Sequence, residues 1–250
     1  MKAIILAAGR GSRMCQLTED QPKCLTQLAG KSLLEWQQEA LKAAGVKEIV
    51  VVGGYRHEDL KGDFQVFENK RWTETNMVRS LCEVSEILES EEAIISYSDI
   101  VFNSKHAKNL MNNDAEIAVS YDQLWLNLWS LRFIDPLSDA ETFKSKNGIL
   151  VEIGAKTDLL DSIQGQYMGL LKITPIGWKK ITSFLRALSD AEIDKLDMTS
   201  MLSILLKGNV TINTIAVQGG WCEVDTANDL HKYEAEIANN NNWSHDWRDN

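Results

Sequence analysis

The chain has 250 residues, 28.2 kDa, with 44% hydrophobic and 25% charged residues, which excludes disorder as the main state and a second large domain. Its 26 Lys+Arg against 36 Asp+Glu give a net charge of −10, which opposes attraction to nucleic acid or anionic lipid. No apolar run reaches the roughly 18 residues that cross a bilayer, and four cysteines without a C-x-x-C pair suggest neither zinc nor a disulfide framework, so a cytoplasmic protein is expected.

Residues 2–7 are a short apolar run ending in glycine, which predicts a strand buried on both faces near the centre of a parallel sheet. After a loop rich in Gly, Arg, Thr and Pro, residues 33–44 carry apolar side chains at helical spacing and stop at Gly45, a natural helix terminator. Residues 48–52 are a second strand, closed by Gly53-Gly54. Strand, helix and strand form a βαβ unit, whose ligands gather at the carboxyl ends of the strands. The alternation continues with a strand over 64–67, a helix over 77–88, a strand over 93–97, a helix over 105–112 and a strand over 115–121. Residues 122–139 break the rhythm as a loop or cap beside the sheet, and 142–152 read as a hairpin turning at Asn147-Gly148. An apolar stretch at 165–173, a helix opened by Thr174-Pro175, a helix over 199–207, a strand over 210–217 and a helix over 226–238 complete the pattern. The expected fold is α/β, a Rossmann-like, mostly parallel sheet flanked by helices. It forms one domain over 1–238, with an acceptor-side cap and hairpin at about 122–173, before a polar tail at 239–250.

The chemistry begins in an uneven charge distribution. Residues 1–31 hold five basic and two acidic residues, net +3, against −13 for the rest. They include Leu6-Ala7-Ala8-Gly9-Arg10-Gly11-Ser12-Arg13-Met14 and then Pro22-Lys23. Small residues after a strand let backbone N–H groups approach a phosphate chain, and flanking cations add charge-assisted contacts. Two familiar alternatives fail: a dinucleotide fingerprint needs a small residue where Met14 stands, and a Walker A loop ending at Gly30-Lys31-Ser32 needs glycine where Leu25 stands. Asp99 and Asp225 both follow strands and could converge on one Mg²⁺, although each also fits as the cap of a helix or turn.

The loop from Leu6 to Arg13, with Pro22-Lys23, resembles the N-terminal signature of the nucleotidylyltransferases that make nucleoside-diphosphate sugars, alcohols and amines. Gln16 stands where the family usually has proline. The resemblance continues in order through Val52-Gly53-Gly54-Tyr55, Thr75-Asn76-Met77-Val78-Arg79-Ser80-Leu81, Ser98-Asp99, Gly165-Gln166-Tyr167-Met168-Gly169 and Glu223-Val224-Asp225-Thr226. Within the family, Asn76-Met77 and the short length look most like the CTP-dependent cytidylyltransferases acting on phosphocholine, 2-aminoethylphosphonate and similar small compounds. The resemblance implies the nucleotide-diphospho-sugar transferase type of fold and a catalytic set of Arg13, Lys23, Asp99 and Asp225. Arg13 would hold the β- and γ-phosphates, Lys23 would neutralise charge at the transferring phosphorus, and Asp99 and Asp225 would bind Mg²⁺. Leu6, Ala7, Ala8, Gly9, Gly54, Asn76, Met77 and Asp99 would form the nucleotide site, Asn76 serving equally well as a helix N-cap.

For the acceptor side, Trp129, Gln164 and Tyr167 are the expected contacts. Trp125, Trp129 and Phe133 recur every four residues, and with Tyr121 and Tyr167 they suit either an aromatic wall for an ammonium group or an ordinary core. Arg132, Asp135, Asp139, Glu141, Glu152 and Gln164 suit a zwitterionic amino-acid-like acceptor or simply face water. The implied function is Mg²⁺-dependent transfer of CMP from CTP to a small phosphorylated or phosphonylated acceptor, with release of pyrophosphate. Its CDP- or CMP-linked product would serve surface-polysaccharide or phosphonate decoration. A sugar-1-phosphate nucleotidylyltransferase using UTP, dTTP or GTP is one rival, and a non-catalytic nucleotide-binding regulator is another. No nucleic-acid or membrane partner is expected, and a homodimer is compatible with the sequence.

Overall fold

The computed structural model describes residues 1–248, and of Cys15 the backbone alone. Its strands are β1 (Lys2–Ala7), β2 (Gln27–Leu28), β3 (Lys31–Ser32), β4 (Glu48–Gly53), β5 (Gln65–Glu68), β6 (Ala93–Tyr97), β7 (Ile100–Phe102), β8 (Ile117–Asp122), β9 (Phe143–Lys146), β10 (Ile149–Ile153), β11 (Gln166–Ile173), β12 (Asn213–Val217) and β13 (Trp221–Glu223). Its α-helices are α1 (Leu33–Ala44), α2 (Met77–Cys82), α3 (Ser85–Ser90), α4 (Ser104–Met111), α5 (Trp125–Arg132), α6 (Pro175–Leu185), α7 (Asp190–Lys195), α8 (Met198–Lys207) and α9 (Ala227–Asn239).

The main sheet runs β5-β4-β1-β6-β11-β8-β12-β10-β9. β5, β4, β1 and β6 are parallel, and β8 and β12 are parallel to each other. Between these blocks β11 runs antiparallel to both β6 and β8, and near the far edge β10 runs antiparallel to both β12 and β9, so the sheet carries one reversed strand in its middle and a second beside its last strand. β1 is an interior strand, third of the nine and flanked by β4 and β6, and is buried on both faces as its apolar run predicts. Because side chains alternate across a strand, Ala3, Ile5 and Ala7 join one core with Leu34, Leu41 and Leu128, while Ile4 and Leu6 join the other with Val50, Leu81 and Leu202. α1 starts in a reciprocal capping box, Ser32 with Glu35, and ends at Gly45 with φ +105°.

Three departures from the sequence reading have physical causes. The helix expected over 77–88 is two helices, because Val84 adopts a non-helical φ of −117° and is buried in the core between them, and the Ser85 hydroxyl donates to the Cys82 carbonyl at 2.7 Å. The segment after β8 contains the helix α5, which buries Trp125, Leu128, Trp129 and Arg132; the four-residue recurrence of its tryptophans is a helical signal, blunted by Leu126 and Leu131 on the other faces, which leave little amphipathic contrast. Residues 240–248 fold back on the domain. There the ring of His245 meets Asp122 at 2.9 Å with both side chains fully buried, Gly220 N–H donates to the Ser244 carbonyl at 2.8 Å, and Trp247 packs edge-on against Trp36. Among the described residues no helix is long and apolar enough to cross a membrane.

Candidate active site

Outside the main sheet, β7 and β13 form a two-stranded antiparallel ribbon in which Ile100 pairs with Glu223. The ladder extends one step further, Val224 N–H donating to the Asp99 carbonyl at 2.8 Å. Asp99 precedes β7 and Asp225 follows β13, so this pairing places the two carboxylates side by side. Glu223 and Asp225 are two apart on extended chain and share a face, whereas Cys222 and Val224 are buried in the core on the other.

Lys23 bridges the pair. Its Nζ donates to Asp99 Oδ2 at 2.7 Å and to Asp225 Oδ1 at 2.8 Å. Burial works against the ammonium, but the two carboxylates outweigh it and hold the Lys23 pKa above its ordinary value. Burial likewise opposes the Asp225 charge, and Lys23, Arg132 and Arg13 together hold its pKa below the usual carboxylate range. Arg13 reaches the same oxygen of Asp225 at 3.0 Å from a side chain that is largely exposed. The signature loop fits around the lysine stem. Gly11 has φ +72°, and a Cβ there would lie 2.8 Å from Lys23 Cβ. Gly11→Ala is therefore expected to push Lys23 from its carboxylates and lower kcat at least about tenfold, the near-closed geometry of such sites being sensitive to small misplacements; steady-state kinetics on the folded variant checks it.

Beneath the carboxylates lies Arg132, whose side chain is fully buried. Its Nη1 donates to Glu223 Oε2 at 2.6 Å and its Nη2 to Asp225 Oδ2 at 3.0 Å, while Nε is 3.5 Å from Asp229 Oδ1. Asp229 is fixed in turn by backbone N–H groups of Asp225 and Thr226 at the start of α9. The guanidinium lies over the rings of Trp129 and Phe133, 5.2 and 4.9 Å from their centroids. The aromatic wall of the sequence reading thus exists in part, but the cation that Trp129 and Phe133 cover is the chain's own. Trp125 packs edge-on against Trp129 in the core, and Tyr121 stacks on Phe143.

The donor set suits a hard divalent cation. Asp99, Glu223 and Asp225 offer carboxylate oxygens within 4.8 Å of one another, and Asp99 Oδ1 is buried without a hydrogen-bond partner, an orphaned acceptor that a cation would satisfy. Glu223 was not singled out from the sequence as a ligand, although its offset of two from Asp225 on extended chain is a readable signal. Burial pushes its carboxyl pKa up, against the pull of Arg132.

Two cavities meet at this centre. The first, of about 220 Å³, is lined by Leu6, Ala8, Gly9, Gly11, Arg13, Lys23, Trp72, Thr75, Asn76, Met77, Ser80, Ser98 and Asp99. The expected nucleotide residues Leu6, Ala8, Gly9, Asn76, Met77 and Asp99 are therefore together, while Ala7 points into the core. Gly54 acts from behind: a Cβ there would be 2.5 Å from Trp72 Cβ and 2.6 Å from the Ala8 carbonyl, so glycine lets Trp72 close on the loop. Asn76 lines the cavity and also caps α2, accepting from Met77 N–H at 2.8 Å. The second cavity, of about 230 Å³, is lined in part by Arg13, Tyr97, Trp129, Glu141, Lys156, Gln166, Tyr167, Glu223 and Asp225. Trp129 and Tyr167 are there. Gln164 is not; it is exposed, accepts from Ser145 N–H at 2.8 Å, and leaves the cavity to Gln166. Trp72, Lys156 and Gln166 are the lining residues the sequence reading did not offer, whereas Arg132 and Glu141 stood there only as candidates for an amino-acid-like acceptor or for a solvated face.

Residues 3–150 match the MobA-like NTP transferase domain. The chain belongs to this family. This nucleotidyltransferase is 37% identical over 247 residues to the CTP:phosphoglutamine cytidylyltransferase of Campylobacter jejuni, across 92% of this chain and 98% of that one. It is 36% identical over 119 residues to the choline-phosphate cytidylyltransferase of Streptococcus pneumoniae, across 46% of this chain and 49% of that one. Among solved structures, the inositol-1-phosphate CTP transferase from T. maritima shares its fold with TM-score 0.73, at 21% identity over 96% of each chain. The expected Rossmann-like α/β fold and the nucleotidyltransferase identity both stand, and the two relatives just described are cytidylyltransferases.

Proposed function

We propose that this nucleotidyltransferase transfers CMP from CTP to a small phosphorylated acceptor, with Mg²⁺ at Asp99 and Asp225 and Glu223 beside them. The observation that carries the reading is the bridge of Lys23: one of its two carboxylates, Asp99, lines the first cavity, and the other, Asp225, lines the second. A buried cation at the junction of two polar cavities is where a phosphate oxygen of one ligand would meet the α-phosphorus of another. In that step an acceptor phosphate oxygen bonds to the α-phosphorus, the bond from that phosphorus to the β-phosphate bridging oxygen breaks, and pyrophosphate leaves with the bond electrons. No protein nucleophile is needed.

Several negative charges crowd there, so positioning and neutralisation supply most of the catalysis. Lys23 and Arg13 provide fixed positive charge, and the loop of Leu6 to Gly9 with Trp72 and Asn76 holds the nucleoside. When bound, Mg²⁺ supplies further neutralisation of the phosphate oxygens. The product, a CDP-linked compound, suits an activated intermediate for surface-polysaccharide or phosphonate decoration. The test is pyrophosphate release with Mg²⁺ and CTP, UTP, GTP, ATP or dTTP, each against phosphocholine, 2-aminoethylphosphonate, phosphoglutamine and hexose 1-phosphates. Release with CTP and a non-sugar acceptor is expected, while release only with a hexose 1-phosphate overturns the acceptor class.

A further inference from the structure

Resting on that reading, we infer that the acceptor is a phosphorylated free α-amino acid, with Glu141 taking its ammonium and Lys156 its carboxylate. The second cavity is lined by this pair of opposite charges besides Arg13, Asp139, Glu223 and Asp225, of which Glu223 and Asp225 are held by Arg132 and Asp139 accepts from Trp129 Nε1 at 3.1 Å. The pair is poorly matched to itself. Glu141 Oε1 and Lys156 Nζ are 4.0 Å apart, beyond hydrogen-bond reach, and the Glu141 carboxylate accepts no hydrogen bond from the described residues. Lys156 gives one N–H to the Asp139 carbonyl at 2.8 Å, and an ammonium has three to give. An acid and a base that line one cavity without satisfying each other match a zwitterion, which brings the missing partner to each.

The acid is also held in place. Gln166, 6% exposed, clamps the Glu141 backbone from both sides: its Nε2 donates to the Glu141 carbonyl at 2.6 Å and its Oε1 accepts from Glu141 N–H at 3.3 Å. The same Nε2 also donates to the Gly165 carbonyl at 3.2 Å, and this buried amide fixes the backbone from which the Glu141 carboxylate stands. Partial burial pushes the Glu141 pKa up, a cost that an incoming ammonium would reverse.

The aromatic groups argue against a quaternary ammonium. Such a cation donates no hydrogen bond and is recognised by open ring faces. Here Arg132 covers a face of Trp129, Tyr121 stacks on Phe143, and Tyr97 meets Tyr167 edge to face at 5.8 Å. A primary ammonium that donates to Glu141 fits the cavity better.

The experiment compares phosphoglutamine with its analogue lacking the α-amino group and with phosphocholine, on wild type, Glu141→Gln and Lys156→Met. Wild type should prefer phosphoglutamine over both. Glu141→Gln should raise KM for phosphoglutamine about tenfold or more, the scale of one charged hydrogen bond, and add no further loss on the des-amino analogue. Lys156→Met should penalise phosphoglutamine but not its α-carboxamide analogue. Equal losses on all acceptors, no loss at all, or a wild-type preference for phosphocholine overturn the inference. Equilibrium binding of phosphoglutamine to the wild-type protein without nucleotide separates the two readings. Binding that depends on Glu141, with no pyrophosphate formed from CTP, overturns the proposed reaction and keeps the amino-acid site; absence of binding overturns the site.

Discussion

Lys23→Met is expected to reduce turnover at least about a thousandfold, the upper range for losing one preorganised charge at a reacting centre. The side chain is held between Asp99 and Asp225 with 10% exposure, so the methionine removes the cation that bridges them, and Arg13 and Arg132 remain on Asp225 alone. Asp99 then loses the cation that separates it from Asp225, and breaking a buried ion pair from one side costs about 3–5 kcal/mol. Thermal melting distinguishes this from a general packing defect. Mg²⁺ should raise the melting temperature of the variant more than that of the wild type, because the variant lacks the cation that otherwise sits between the ligands. Turnover within tenfold of wild type would remove Lys23 from the centre.

The second large effect is expected at Arg132, which touches neither cavity yet holds the platform of carboxylates through contacts to Glu223, Asp225 and Asp229. Arg132→Met leaves three acids without their buried partner. A loss of about 3–5 kcal/mol lowers the melting temperature of a chain this size by roughly 6–20 °C. Arg132→Lys should rescue little, because one ammonium cannot span three carboxylates as a guanidinium fork does. The sign of the pH dependence follows from Asp225, whose burial is outweighed by its cations so that its folded pKa lies below the usual value. Its contribution to stability is present above the ordinary carboxylate range and is lost as pH falls through the depressed pKa. The gap between wild type and Arg132→Met should therefore be wide at neutral pH and narrow in acid. Melting curves at several pH values check this, and a constant gap would contradict the electrostatic account.

What the sequence disclosed depended on how local the determining contacts are. Lys2–Ala7 read correctly as a strand buried on both faces in the parallel part of the sheet because such burial removes polar residues from the run itself. Gly11, Arg13 and Lys23 were legible because the loop that binds them is nearly continuous in sequence. Asp99 and Asp225 were legible only as strand-end carboxylates, since the ladder that joins them pairs Ile100 with Glu223. The direction of β11 was hidden, because an apolar run is the same in either orientation and only its neighbours β6 and β8 fix it. Arg132 was visible as one charge among several. Nothing within residues 125–133 tells a buried guanidinium from a solvated one, because its carboxylates come from β13 and α9. Gln164 and Gln166 illustrate the finest limit: two glutamines two positions apart, of which only the second lies in β11 and is buried, while the first precedes the strand and is exposed.

The bridge from Lys23 to Asp225 joins residues 202 positions apart. Closing so long a loop in an unstructured chain costs about 5 kcal/mol in entropy by the logarithmic law, well above the roughly 0–1 kcal/mol that an exposed ion pair returns. The bridge cannot lead folding and must follow it. β1, β4, β5 and β6 pair within the first hundred residues, so the signature loop has a sheet to stand on long before β13 brings its acids. A half-folded chain would thus present the phosphate loop without the catalytic centre, and the chemistry arrives only when the ribbon of β7 and β13 closes.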